Sequence, residues 1–156
     1  MAGQPPDVIQ EGDYEVPRAI RLTFSYVGSR IELISAEQLI MFVPPSDPME
    51  RGSERSGFWF ELRGGNDEPL FRRIIAHPIE TDREVFPENA TDEIVREPVK
   101  DPKGVFSIVI PEISAARTLS FVGSPSESSR RHYEPAREIE RFSISEVIRR
   151  ATQEHQ

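Results

Sequence analysis

Apolar and polar positions alternate through the middle of the chain and lose that order at both ends. Arg21-Leu22-Thr23-Phe24-Ser25-Tyr26 alternates strictly, which puts Leu22, Phe24 and Tyr26 on one face of a strand. Gly28-Ser29 supplies a turn, and Ile31-Glu32-Leu33 resumes the alternation. Leu39-Ile40-Met41-Phe42-Val43 is apolar at every position and stops at Pro44-Pro45. The polar stretch from Ser46 to Gly57, with Pro48 and Gly52, reads as a loop. Phe58 to Arg63 is the next strand. Gly64-Gly65-Asn66-Asp67 is a hairpin turn, and Leu70 to Ile75 is the strand that returns. An acidic connection from Glu80 to Asp92 follows, anchored by Val85-Phe86. Glu93 to Arg96 reads as a short edge strand, because Pro98 cannot donate to a ladder. Gly104 to Ile110 and Arg117 to Val122 complete the strand signals.

The ends read differently. Residues 1–16 contain Pro5-Pro6, several acids and little apolar content, as a flexible leader would. Residues 124–142 are rich in Ser, Glu and Arg and read as a flexible segment. From 143 to 156 the spacing becomes helical, with Ile144, Val147, Ile148 and Ala151 on one face. Ser143-Ile144-Ser145-Glu146 fits a capping box, with Phe142 and Val147 at the staple positions. A helix from about Ile144 to Thr152 is expected.

Together these elements predict an all-β domain over residues 17–123. It is an antiparallel β-sandwich of about seven strands with one short C-terminal α-helix. In strand count the pattern resembles immunoglobulin-like and fibronectin-type-III-like modules, which often carry a core tryptophan mid-chain, where Trp59 stands here. The cysteine pair of antibody domains is missing.

Charge and composition then narrow the partners. Nineteen basic and 27 acidic residues leave a net charge of −8, which disfavours nucleic acid and anionic membrane surfaces. No apolar run approaches the ~20 residues of a membrane span, and Met1 to Pro6 lacks a signal-peptide pattern. With no cysteine there can be no disulfide and no thiolate chemistry, which suits a cytoplasmic protein. Arginine far outnumbers lysine, an association with GC-rich bacterial genomes.

No reactive constellation emerges. Gly-x-Ser-x-Gly is absent, and the serines from Ser124 to Ser129 with His132 lie in a polar stretch without a rigid frame. His77, His132 and His155 show no zinc spacing. Calcium could find oxygens in Asn66-Asp67-Glu68 or between Glu80 and Glu93, but neither matches an EF-hand. Gly64-Gly65 lacks the Lys and Ser or Thr of a phosphate loop. The expectation is therefore no enzyme, no cofactor and no metal.

Binding surfaces remain. Leu39 to Val43 is apolar on both faces, so it is either a central strand covered on both sides or an exposed docking patch. Trp59, Phe71 and Arg73 flank the Gly64-Gly65 turn and have hot-spot composition. Ile144, Val147 and Ile148 either cover the sandwich or enter a partner's groove. The leading expectation is a protein-interaction module, an adaptor or accessory subunit of a larger bacterial complex. The first alternative is a ligand- or calcium-binding sandwich or hydrolase with its site in the 46–57 and 80–92 loops. The second is a structural subunit that forms homo-oligomers through a free sheet edge.

Overall fold

A computed structural model of the chain describes residues 16–48, 57–79, 82–98, 100–124 and 136–153. In chain order the strands are β1 (Arg18–Val27), β2 (Arg30–Ile40), β3 (Phe58–Arg63), β4 (Pro69–Ile75), β5 (Asp82–Val85), β6 (Val95–Pro98), β7 (Lys103–Pro111), β8 (Thr118–Gly123) and β9 (Arg137–Ser143). The helix α1 (Ile144–Gln153) follows β9 directly. Three strands form one sheet in the order β2-β1-β7, and four form a second in the order β4-β3-β8-β9. β5 and β6 make a separate two-stranded ribbon. Every pairing is antiparallel. The described residues form a β-sandwich of three-stranded and four-stranded sheets with a single C-terminal helix.

Alternation explains how the two sheets meet. Leu22, Phe24 and Tyr26 of β1, Phe58, Phe60 and Leu62 of β3, and Leu119 and Phe121 of β8 all point inward and are buried. Phe121 is the hub of an aromatic cluster. It meets Phe24 edge to face at 5.0 Å, Phe106 at 5.6 Å and Phe142 at 6.0 Å, which ties β8 to β1, β7 and β9.

The helix forms where its apolar spacing predicts, and it closes one side of the sandwich. It packs on β2 and β9, the edge strands of the two sheets on that side. Val147 and Ala151 are fully buried in the shared core. Arg150 Nη1 donates to the backbone carbonyl of Leu33 on β2. The expected capping box is replaced by a different contact. Ser143 is the last residue of β9, and its Oγ lies 2.9 Å from Ser145 Oγ, while Glu146 faces Arg149. The Ser143 hydroxyl is engaged with Ser145 and the Glu146 carboxylate with Arg149, so neither side chain completes the reciprocal pair.

Four strand assignments change. β5 (Asp82–Val85) stands within the stretch from Glu80 to Asp92 that was expected to be a connection. The segments 31–33 and 39–43 do not form two strands; the first and the start of the second belong to the single strand β2, which ends at Ile40. The edge strand expected at 93–96 lies at Val95–Pro98 and pairs with β5. β9 occupies the end of the segment expected to be flexible. Residues 1–15, 49–56, 80–81, 99, 125–135 and 154–156 lie outside the described residues, and with them most of the expected leader and of the 124–142 segment. Among the described residues no helix is long and apolar enough to cross a membrane.

Candidate functional site

Among the described residues one end of the sandwich is open, and the sequence there shows why. Backbone pairing between the first two strands continues one step past Ile40, where Met41 N–H donates to Pro17 O at 3.1 Å. Pro44 and Pro45 then follow, and neither has an N–H with which to extend the ladder. Met41-Phe42-Val43 therefore leaves the sheet. Across the opening, Arg117 N–H donates to Arg63 O at 2.7 Å, and Ile144 N–H donates to Arg117 O at 3.0 Å. These bonds fix the β7–β8 connection and the first turn of α1.

Between the two walls lies a groove of about 890 Å³. Its apolar lining includes Met41, Phe42, Val43, Ile113, Ile144 and Ile148, and Arg18, Glu112 and Arg117 stand among them. Phe42 is 81% exposed and the adjacent Ile40 is 80% exposed. Contiguous apolar side chains at that exposure mark interaction surfaces in soluble proteins. The expectation that Leu39 to Val43 is a central strand covered on both sides is overturned. β2 is an edge strand, and the run leaves the sheet at its end. Of the alternative reading, the structure shows the exposure of Ile40, Met41 and Phe42.

The six residues expected to form an interaction surface do not share one face, although the Arg73 guanidinium lies 5.1 Å from the Phe71 ring centre. Trp59 stands half-buried on the outer face of β3, opposite Ile74. It is not the core tryptophan that the family resemblance implies. Phe71 pairs with Leu62 on the inner face and is buried. Arg73 pairs with Phe60 and turns along the sheet edge, where it donates to Asp47 Oδ1 at 3.3 Å and Pro44 O at 2.6 Å. Trp59 and Phe71 are thus on opposite faces: Trp59 faces Ile74, Phe71 faces Leu62, and positions 59 and 62 of one strand point to opposite sides. Ile144 and Ile148 line the groove, while Val147 is entirely within the core.

A polar cluster that the sequence reading missed crosses the outer face of the four-stranded sheet. Glu61 is 4% exposed and accepts from Trp59 Nε1 at 3.0 Å, Arg63 Nε at 2.9 Å, and Arg72 Nε and Nη2 at 3.0 and 2.6 Å. The Arg72 guanidinium also lies 5.4 Å from the Trp59 ring centre. The chain of contacts continues through Arg63 to Glu138 and Asp67, and from both of these to Arg141. Ser120 Oγ donates to Glu138 at 2.7 Å. Burial pushes the Glu61 carboxyl up, but the hydrogen bonds from Arg72, Trp59 and Arg63 outweigh it and hold it below the usual range. The Arg141 hydrogen bond likewise lowers Glu138, against a smaller effect of burial, and Glu138 in turn raises Arg141. The three arginines and three carboxylates pair with one another, so the cluster braces the sheet. Its sequence signal was the charge alternation Glu61-x-Arg63 facing Arg72.

The residues weighed for metal or hydrolytic chemistry have other duties. Asp67 is engaged by Arg63 and Arg141, and Glu68 accepts from Asn66 N–H at 2.8 Å. Asp47 Oδ2 accepts from Ile74 N–H at 2.8 Å. His77 packs on Phe58 with ring centres 4.9 Å apart, and its Nδ1 accepts from Ile79 N–H at 3.3 Å. No group of three or more His, Asp or Glu among the described residues is placed to hold a metal ion. His132, His155 and the serines from Ser126 to Ser129 lie outside the described residues. Comparison with known proteins leaves the fold and the groove to speak for themselves: no family model, no curated protein and no solved structure matches the chain.

Proposed function

We propose that the chain is a cytoplasmic protein-interaction module, an adaptor or accessory subunit of a larger bacterial complex, that seats an apolar segment of its partner in the end groove. The observation that carries this reading is the exposure of Ile40 and Phe42 beside a groove walled by Met41, Ile113 and Ile148. An apolar surface left in water is unfavourable by roughly 25 cal/mol per Å², and a partner that covers it recovers that energy. Kinship with immunoglobulin-like modules is part of the proposal. In its favour, β3, β8 and β9 neighbour one another as strands C, F and G do. Against it, β1 is central and β2 is at the edge, the reverse of strands A and B, and Trp59 faces outward.

Replacing Phe42 with a photo-cross-linking phenylalanine analogue in the full chain tests the reading. The expected result is one dominant adduct from a lysate of the source cells, at position 42 and not when the analogue stands at Trp59. The partner so identified, once purified, should bind the Phe42→Glu variant at least about tenfold more weakly than the unmodified chain. Adducts at position 59 alone, or none at either position, would overturn it.

A further inference from the structure

The sandwich has four sheet edges, and three of them are protected. β2 carries a bulge at Ile34 and lies against α1, whose Arg150 takes the Leu33 carbonyl. β4 carries a bulge at Leu70, and the chain after β2 straps its edge. Asp47 N–H donates to Arg72 O at 2.9 Å, Ser46 Oγ accepts from Arg72 N–H at 2.9 Å, and Asp47 Oδ2 accepts from Ile74 N–H. β9 carries a bulge at Ile139, and the Arg141 N–H is turned to the Glu140 carboxylate at 3.3 Å. Bulges and local caps of this kind keep edges from pairing with other chains.

β7 has none of these devices. Its register with β1 runs without a shift from Lys103 to Pro111. The bonds just beyond its two ends, Gly28 N–H to Pro102 O at 2.8 Å and Glu112 N–H to Arg18 O at 3.1 Å, show that even-numbered residues bond to β1. The odd-numbered residues Lys103, Val105, Ser107 and Val109 therefore turn their backbone groups to the free edge. No described residue bonds to them there.

We propose that β7 pairs with β7 of a second copy, antiparallel about a two-fold axis at Ser107, joining the three-stranded sheets of two molecules into one. The sequence of the edge is self-complementary in that register. Residue numbers of facing partners sum to 214, so Val105 meets Val109 of the second copy, Ser107 meets its own equivalent, and Lys103 meets Pro111. Every outward N–H then finds a carbonyl, in about eight interstrand bonds, and the missing N–H of Pro111 falls at the end of the ladder. No like charges oppose one another, although each copy carries −8. Val105, 63% exposed, gains a β-branched cross-strand partner. The edge adjoins the groove, which Pro111 also lines, and Ser107 and Val109 share a smaller cavity with Met41 and Val43; the pairing of β7 does not depend on what fills the groove.

The test uses the full chain, which contains no cysteine. Sedimentation equilibrium is expected to show a concentration-dependent dimer. Val105→Pro, which removes one outward N–H and leaves the β1 ladder intact, should give a monomer with unchanged circular dichroism. Register is read by disulfide trapping: Ser107→Cys should link to itself under mild oxidation. Val105→Cys should not, but should link to Val109→Cys when the two variants are mixed. A chain that stays monomeric at millimolar concentration overturns the proposal, as does a dimer that survives in folded Val105→Pro. If Val105→Pro does not fold, the trapping pattern decides. A Ser107→Cys chain that links no faster than an exposed cysteine elsewhere, or a mixture that does not link, overturns it.

Discussion

A carboxylate that is almost fully buried, as Glu61 is, must recover its lost hydration from hydrogen-bond donors or take up a proton. Three side chains supply those donors, and each lies on the outer face of the same sheet. Glu61→Gln keeps the shape but removes the charge that Arg63 and Arg72 answer. It should cost roughly 2–3 kcal/mol in urea denaturation at neutral pH. The sign with pH follows from the lowered carboxyl. A group whose folded pKa lies below its ordinary value of 4.5 adds stability that is fully present above that value and is lost as pH falls through the folded one. Acidification below about pH 4.5 should therefore shrink the difference between the wild type and Glu61→Gln. A difference that stays constant from pH 7 to the acid range would show that the charge of Glu61 does not stabilise the fold.

At the scale of elements, edges decide the outcome. Asp47→Ala removes the acceptor for Ile74 N–H and an ion-pair partner of Arg73. Stability should fall by about 1 kcal/mol, and light scattering during partial unfolding should rise as the β4 edge becomes available. The same edges explain what could be read from the chain. β1 alternates cleanly, β3, β4, β7 and β8 stand out as apolar-rich runs between turn signals, and the helix announces itself by its spacing. β2 was split because its bulge at Ile34 reverses the phase: Ile31 and Leu33 point inward before it and Ala36 after it. β9 was missed because Glu138, Glu140 and Arg141 dominate a short edge strand that also carries a bulge. Of the groove, Ile144 and Ile148 and the apolar run through Phe42 were visible as candidates. Their convergence was not, because it depends on where two loops and a helix meet.

At the scale of the whole molecule, one core joins both sheets and the helix. Trp59, the sole tryptophan, reports on the outer face of the four-stranded sheet, whereas far-ultraviolet circular dichroism reports on all strands. The two signals should give coincident urea transitions, as one cooperative unit requires. An earlier transition in either signal would mean that the sheets unfold separately. The helix has a further consequence. Its residues Val147 and Ala151 are part of the core, while Ile144 and Ile148, on the same turns, form a wall of the groove. Whatever seats itself against that wall holds α1 on the sandwich and with it the closure of β2 and β9. Binding and folding are then thermodynamically linked, so a partner at a hundred times its dissociation constant would add about 2.7 kcal/mol to the stability of the native state. With the groove occupied as proposed, the melting temperature becomes a gauge of occupancy, and a chain without its proposed partner would be more open to proteolysis without any change in its sequence.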